Sequence, residues 1–389
     1  MTLRQLFWRE LKQIFLVDRQ RAVFLFGASI IYALLFGTLY HSHVINDIPL
    51  LVYDQDQSKL SRQLIRAFSD SEKFRLVAEV SSQEEMEEAL RNKTAVAALA
   101  IPADFSRDIK SGRSANVLLD ANGANITLAN PMISATQEIA LGFSSQIGVS
   151  LLESIGQLPG SAQSKALPLS YRLRILDNPT LSYSNFFLLG LAMTALQQGL
   201  FLSSGAGILY ELSDRRLLKR ISPGRLLFGK LIPYWLCGLF AYALTLSLIV
   251  FVFHLPWRIG FGPLFAFGGA FIFAVLMLAA LSANLFQDEV SFTQFSLVYS
   301  ISSFIFSGYV WPQVAMINGA QYLHYLFPLS YFAAPLRNMA LSGHAPQLGQ
   351  HILTLFLLGA LFGASAYLLL RRAAASQTVA VVSEERLAA

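Results

Sequence analysis

Residues 22–40 read AVFLFGASIIYALLFGTLY, nineteen positions without an Asp, Glu, Lys or Arg. A helix of about 20 apolar residues crosses the hydrocarbon core of a bilayer, so this stretch is long enough to span one. Basic residues precede it, as they precede the core of a secretory signal, but it is longer than such a core and no small-x-small cleavage site follows. It reads as a retained membrane span, and that reading makes the rest of the chain a multi-pass protein.

Further apolar runs follow at 181–210, 231–253, 261–284 and 352–370, the last closed by Arg371 and Arg372. Another begins at Val290 and meets no formal charge until Arg337, too long for one span. The sequence therefore predicts a mainly α membrane protein: six transmembrane helices, an inserted α/β domain outside the membrane, an N-terminal interfacial helix, and re-entrant outer helices before the last span. Only 14% of the 389 residues are charged and mean hydropathy is +0.50, against about 25% charged in soluble chains. The exception is the stretch after the first span, which has ordinary charge density and length enough for its own core. The expected organisation is 1–21 interfacial helix, 22–41 first span, 42–180 extracytoplasmic domain, and 181–389 spans two to six.

Six spans put both termini on one side, and basic residues show which. Arg4, Arg9, Lys12, Arg19 and Arg21 precede the first span; Arg215, Arg216, Lys219, Arg220, Arg225 and Lys230 join the second to the third. The other side has only Arg258 and Arg337 in its short loops. The basic side is expected to be cytoplasmic, which puts 42–180 in the periplasm of a bacterial inner-membrane protein. The net charge of +5 sits largely in these membrane-flanking segments and does not point to nucleic acid. The single cysteine, Cys237, excludes an internal disulfide and a cysteine metal cluster.

SPGRLLFGKL, residues 222–231, spaces Gly224, Gly229 and Lys230 as G-x-x-x-x-G-K. A phosphate-cradling loop follows a strand and places Ser or Thr after the lysine; here Leu231 follows and no strand precedes. Nucleotide chemistry by this chain is not expected. Lys230 reads instead as a charge at the membrane edge. Upstream, Leu212, Leu217, Leu218 and Ile221 give one apolar face to a short amphipathic helix, with charges on the rest. Leu3, Leu6, Phe7, Leu11, Ile14 and Phe15 do the same for the N-terminal segment, with charges expected on the opposite face and Trp8 at headgroup level.

In the domain, strands are expected at 48–53, 74–80, 95–101 and 115–119, and helices at 58–69, 82–91, 102–110 and 130–156. DQDQS resembles the start of a calcium loop but lacks its glycine and closing glutamate, so Asp56 or Ser58 reads as a helix cap. HSH at 41–43 and the sequon at Asn125 carry no expected function, and no metal site or catalytic residue stands out. Within the spans Gln197, Gln198 and Gln294 are candidates for the transport path or for helix–helix hydrogen bonds. In the segment 308–336, Tyr309, Trp311, Pro312, Pro328 and Tyr331 are candidates for an outer gate or an aromatic belt.

Four stretches carry a family likeness: IPLLVYDQDQSKLSRQLIRAF after the first span, AVAALAIPADFSRDI, YELSDRRLLKRISPGRLLFGKLIPY between spans two and three, and FPLSYFAAPLRNMALSG before the last. In this order, with six spans, the chain resembles a type-2 ABC transporter membrane subunit of the drug-exporter-like branch. The resemblance implies an exporter of hydrophobic or amphiphilic cargo. It implies a pair of membrane subunits, identical or homologous, two separate ATP-binding cassette subunits, and a periplasmic adaptor as a further candidate partner. ATP and magnesium belong on the cassette subunits, with no cofactor in this chain. A cytoplasmic coupling helix falls at 211–223, with Tyr210, Glu211, Arg215, Arg216, Arg220 and Pro223 as the coupling residues. The competing reading is a membrane-anchored sensor or scaffold whose outer domain binds a ligand without transport.

Overall fold

The computed structural model describes residues 2–40, 45–121, 126–154, 156, 178, 181–214, 221–344 and 346–388. Two compact units emerge: Met1–His43 with Ile175–Ala389, and Val44–Arg174.

The Val44–Arg174 unit is built on a four-stranded sheet: β1 (Ile48–Asp54), β2 (Phe74–Glu79), β3 (Ala97–Ile101) and β4 (Leu118–Ala121), in the order β2-β1-β3-β4. β1 runs parallel to both neighbours, and β4 returns antiparallel to β3. Parallel neighbours require crossovers: α3 (Lys59–Ser69) joins β1 to β2 and α4 (Gln83–Arg91) joins β2 to β3. The chain steps one way across the sheet and then back, so crossovers of one hand put the two helices on opposite faces. The packing agrees. Leu50, Val52 and Leu99 meet Leu64 and Phe68 of α3, with Met132 of α6 (Ile126–Ser154) on the same side. Leu51 and Ala98, pointing the other way, meet Met86 of α4. Ser58 closes a capping box at the start of α3, accepting from Ser61 N at 3.1 Å. Asp56 instead holds the first turn of α5 (Phe105–Lys110), accepting from Ser106 Oγ at 3.0 Å.

The other unit is helical. α1 (Leu3–Lys12), capped by Thr2, continues as a π-helical turn over Gln13–Val17; after Asp18 the chain enters α2 (Arg19–Leu39), which holds a second π turn at Val23–Gly27. Four long helices follow: α7 (Tyr183–Asp214), α8 (Pro223–Phe251), α9 (Phe261–Ala283) and, at the end, α13 (Leu348–Ala388). Among the described residues five helices are long and apolar enough to cross a membrane: α2, α7, α8, α9 and the Leu348–Ala374 part of α13. α7 and α9 are the most enclosed, and the outer sides of α2, α8 and α13 expose leucine and phenylalanine.

α10 (Glu289–Phe306) has 18 residues, about 27 Å, but its apolar run is diluted by Gln294, Ser296, Ser300, Ser302 and Ser303. The rest of the charge-free stretch breaks into a 3-10 turn at Gln313–Ala315, α11 (Asn318–His324), a second 3-10 turn at Pro328–Tyr331 and then α12 (Ala333–Ser342).

Candidate functional site

Three elements of the helical unit meet at its basic end, and they meet through charge. Leu6 and Glu10 of α1 lie four residues apart and share one face, and Ile14 follows four residues later in the π turn; all three are buried. On α7, Ser203, Gly207 and Glu211 share the face turned toward them; on α8, Lys230 and Tyr234 do the same.

Lys230 Nζ sits 2.9 Å from Glu10 Oε2 and 2.9 Å from Glu211 Oε1. Arg9 Nη2 donates to the same Glu211 oxygen at 2.9 Å. Tyr234 donates to Glu10 Oε1 at 3.2 Å, and Arg21 Nη1 lies 3.7 Å from that oxygen. Arg21 Nε is held by Asp18 at 2.9 Å, and Ser203 Oγ donates to the Arg21 carbonyl at 2.9 Å. Three carboxylates thus face three cations. Glu10, Glu211, Arg21 and Lys230 are all less than a tenth exposed. Burying a charge is tolerable only when it is paired and hydrogen-bonded, and each of these four has a partner from another element.

Gly207 makes room for this. A Cβ there would stand 2.9 Å from the Tyr234 hydroxyl and 3.2 Å from both Arg21 Nη1 and Glu10 Oε1. Gly229 does the same for the backbone approach of α1, since its Cβ would meet Leu6 at 3.0 Å. Chemically the cluster has no nucleophile or metal-binding set. It is a clamp, fixing α1 against the end of α7 and the beginning of α8.

One expectation is extended and one corrected here. Lys230 lies inside α8, one turn before Tyr234, and is enclosed by two glutamates. The charges of the N-terminal helix do not all face away from its apolar side, because Glu10 occupies an inward position and is neutralised there. The G-x-x-x-x-G-K spacing falls within the first turns of α8, with Pro223 at its first position.

Tyr210 and Glu211 lie in the last turns of α7, the former half-exposed and the latter enclosed. Arg215, Arg216 and Arg220 lie outside the described residues. Gln197 and Gln198 both turn to α10: Gln197 Oε1 accepts from Ser303 at 3.4 Å, and Gln198 Nε2 donates to Ser296 at 3.1 Å. Gln197 Nε2, Gln198 Oε1 and Ser300 Oγ are buried without a hydrogen-bond partner, a polar seam between the two helices. Gln294 is exposed and outside that seam.

The proposed gate residues separate into two environments. Trp311 and Pro312 are exposed, whereas Pro328 is buried and Tyr331 half-buried. Tyr309 is buried against α7, where its hydroxyl donates to the Phe186 carbonyl and accepts from Gly190 N–H at 3.1 Å. Both groups belong to α7, which runs without a break from Tyr183 to Asp214, so the hydroxyl adds a cross-link to that helix. The Arg337 guanidinium lies over both rings, 4.4 Å from the centroid of Tyr309 and 4.6 Å from that of Phe186.

A chain with five membrane-length apolar helices, an α/β insert and a clamp at its basic end is a multi-pass membrane protein. More specifically, it belongs to the ABC-2 family of transporter proteins, whose family pattern matches residues 22–368. It is similar to the probable multidrug ABC transporter permease YbhR of Escherichia coli (strain K12), 21% identical over 376 residues that cover 94% of this chain and 96% of that protein. It also resembles the probable multidrug ABC transporter permease YbhS of the same organism, 27% identical over 131 residues, or 33% of this chain and 35% of the relative. The chain is thus an ABC transporter permease, a membrane subunit.

Proposed function

We propose that this chain is the membrane half of an ATP-driven exporter that moves a hydrophobic or amphiphilic, drug-like or lipid-like cargo out of the cytoplasm or the inner leaflet. Two copies of a separate ATP-binding subunit, carrying ATP and magnesium, drive a pair of membrane subunits. α10 serves as the sixth span, the termini and the 215–220 segment face the cytoplasm of an inner membrane, and the α/β unit lies in the periplasm. The relatives' names support the cargo class, and the distribution of Lys and Arg supports the orientation.

The observation that carries the reading is the Glu10–Lys230–Glu211 link. The segment 215–220 joins two helices whose ends are already tied to each other and to α1. A push on that segment by a closing ATP-binding subunit is therefore delivered to α7 and α8 together, and α7 is one of the two most enclosed helices. The seam of Gln197 and Gln198 of α7 with Ser296 and Ser303 of α10 supports reading this helix pair as part of the transport path.

The test is co-expression with the ATP-binding subunit. Arg216→Glu with Arg220→Glu is expected to reduce its recovery or to uncouple its hydrolysis from cargo movement. If recovery, hydrolysis and transport all match wild type, 215–220 is not the coupling segment.

A further inference from the structure

We propose that the groove between the outer face of α1 and the end of α7 is a binding site for the anionic headgroup of a membrane phospholipid. The groove has a volume of ≈ 920 Å³ and is lined by Arg4, Trp8, Arg9, Lys12, Gln13 and Tyr210, with Thr2, Gln5 and Val17 completing it. Its charge is of one sign: three cations and no carboxylate line it. Arg4, Trp8 and Lys12 follow one another at four-residue intervals on α1, so they stand in a row on one side of the helix, and all three are exposed. Among the described residues neither Arg4 nor Lys12 lies in an ion pair, whereas Arg9, Arg21 and Lys230 do.

The surroundings favour a lipid over a protein as the source of the negative charge. Past Lys12 the helix turns Phe15, Leu16 and Val17 outward, 44%, 66% and 77% exposed, and α2 with its membrane-length apolar run begins two residues later at Arg19. Cations and an exposed tryptophan therefore border directly on apolar surface that continues into a spanning helix. That is the profile of the bilayer interface, where Trp sits at headgroup level and Lys and Arg meet anionic lipid. A phosphodiester in the groove satisfies the cations while its acyl chains cover the apolar rim; an acidic protein edge satisfies only the cations.

The site also touches the clamp. Arg9 lines the groove and donates to Glu211, so a headgroup phosphate shares a cation with the buried network. Lipid occupancy is thereby linked to the joint between α1 and α7. The site's location in a cell rests on the orientation proposed above, but binding itself depends on neither that orientation nor an ATP-binding subunit, so the two readings fail separately.

The experiment uses the purified full-length protein in mild detergent, with native mass spectrometry counting retained phosphatidylglycerol against phosphatidylcholine. Wild type is expected to retain the anionic lipid in preference to the zwitterionic one. Arg4→Gln with Lys12→Gln should lower that preference roughly thirtyfold, two cations' worth of surface attraction; Arg4→Lys with Lys12→Arg should preserve it. Unchanged retention in the Gln pair overturns the proposal. So does equal competition by inorganic phosphate, which marks a free-anion site. Unchanged lipid retention together with lost recovery of an ATP-binding subunit assigns the groove to that partner instead. A measurement that keeps Arg4 and Lys12 in place guards against misfolding of the Gln pair. Brominated phosphatidylglycerol should quench the Trp8 share of fluorescence, defined by difference from Trp8→Phe, at lower mole fraction than brominated phosphatidylcholine; equal quenching refutes the site.

Discussion

Replacing Lys230 with methionine keeps the length of the side chain and removes its charge. Glu10 and Glu211 then lose their common cation in a place where both are about 2% exposed or less. Removing one member of a buried ion pair costs about 3–5 kcal/mol, because the charge left behind is uncompensated. Some compensation remains: Arg9 stays 2.9 Å from Glu211, and Arg21 stays 3.7 Å from Glu10. The expected loss is therefore at the lower end, about 3 kcal/mol. At about 2–4 °C per kcal/mol for a unit of this size, the melting temperature should fall by roughly 6–12 °C. Thermal unfolding of the purified protein in detergent measures it. Adding Glu211→Gln to Lys230→Met removes one of the stranded carboxylates and should restore part of the loss, with a coupling of about 1–3 kcal/mol between the two changes. A Lys230→Met protein melting within about 1 kcal/mol of wild type, the value of an exposed pair, would refute the picture of a dry clamp. Additive losses in the double variant would refute the pairing.

Other perturbations test neighbouring parts. Gly207→Val places a branched side chain against the Tyr234 hydroxyl and the Arg21 guanidinium, and should lower thermal stability by about 1–3 kcal/mol. Tyr309→Phe leaves the ring under Arg337 but deprives Phe186 O and Gly190 N–H of the hydroxyl; a loss of about 1–2 kcal/mol is expected by the same assay, and no change would mean that this cross-link adds nothing to the helix. In the α/β unit, burial acts to raise the Asp56 carboxyl pKa, but hydrogen bonding from Ser58 and Ser106 and the charge of Lys110 outweigh it and hold the group below the ordinary range. A depressed folded pKa gives stability that is present above the unfolded value, about 3.9, and is lost as pH falls through the folded one. The stability of wild type should therefore drop more steeply than that of Asp56→Asn below about pH 4, and parallel curves would exclude the linkage.

Much of the architecture could be read from residue pattern because it depends on local periodicity. Apolar runs of membrane length mark α2, α7, α8, α9 and α13, and the apolar run IPLLVYD followed by the capping Ser58 marks the β1–α3 corner. The last strand lies at Leu118–Ala121, later than the expected 115–119, because it is set by pairing with β3 and not by its own short apolar run. The clamp was not legible in that way. A charged residue in an amphipathic pattern is assigned to water by default, and Glu10, Glu211 and Lys230 are each charged. What makes them internal is that three distant segments supply opposite signs at one point, separated by 201 positions between Glu10 and Glu211. One local sign was available: Glu10 stands four residues from both Leu6 and Ile14, in the middle of the face those residues bury. Glycines at 207 and 229 offered a second, as places where something bulky must come close.

The π turns at Gln13–Val17 and Val23–Gly27 have a consequence for chain length. Each accommodates one residue more than an α turn would. A single deletion from the first would leave an ordinary α turn, so that one position can be lost there with Glu10 still opposite Lys230. A single deletion between Leu6 and Glu10, where α1 has no such slack, would instead turn Leu6 by about 100° off the face it shares with Glu10. Spacing here is thus as much a part of the message as chemistry: the loss of one residue is absorbed in the π turn and felt in the helix before it.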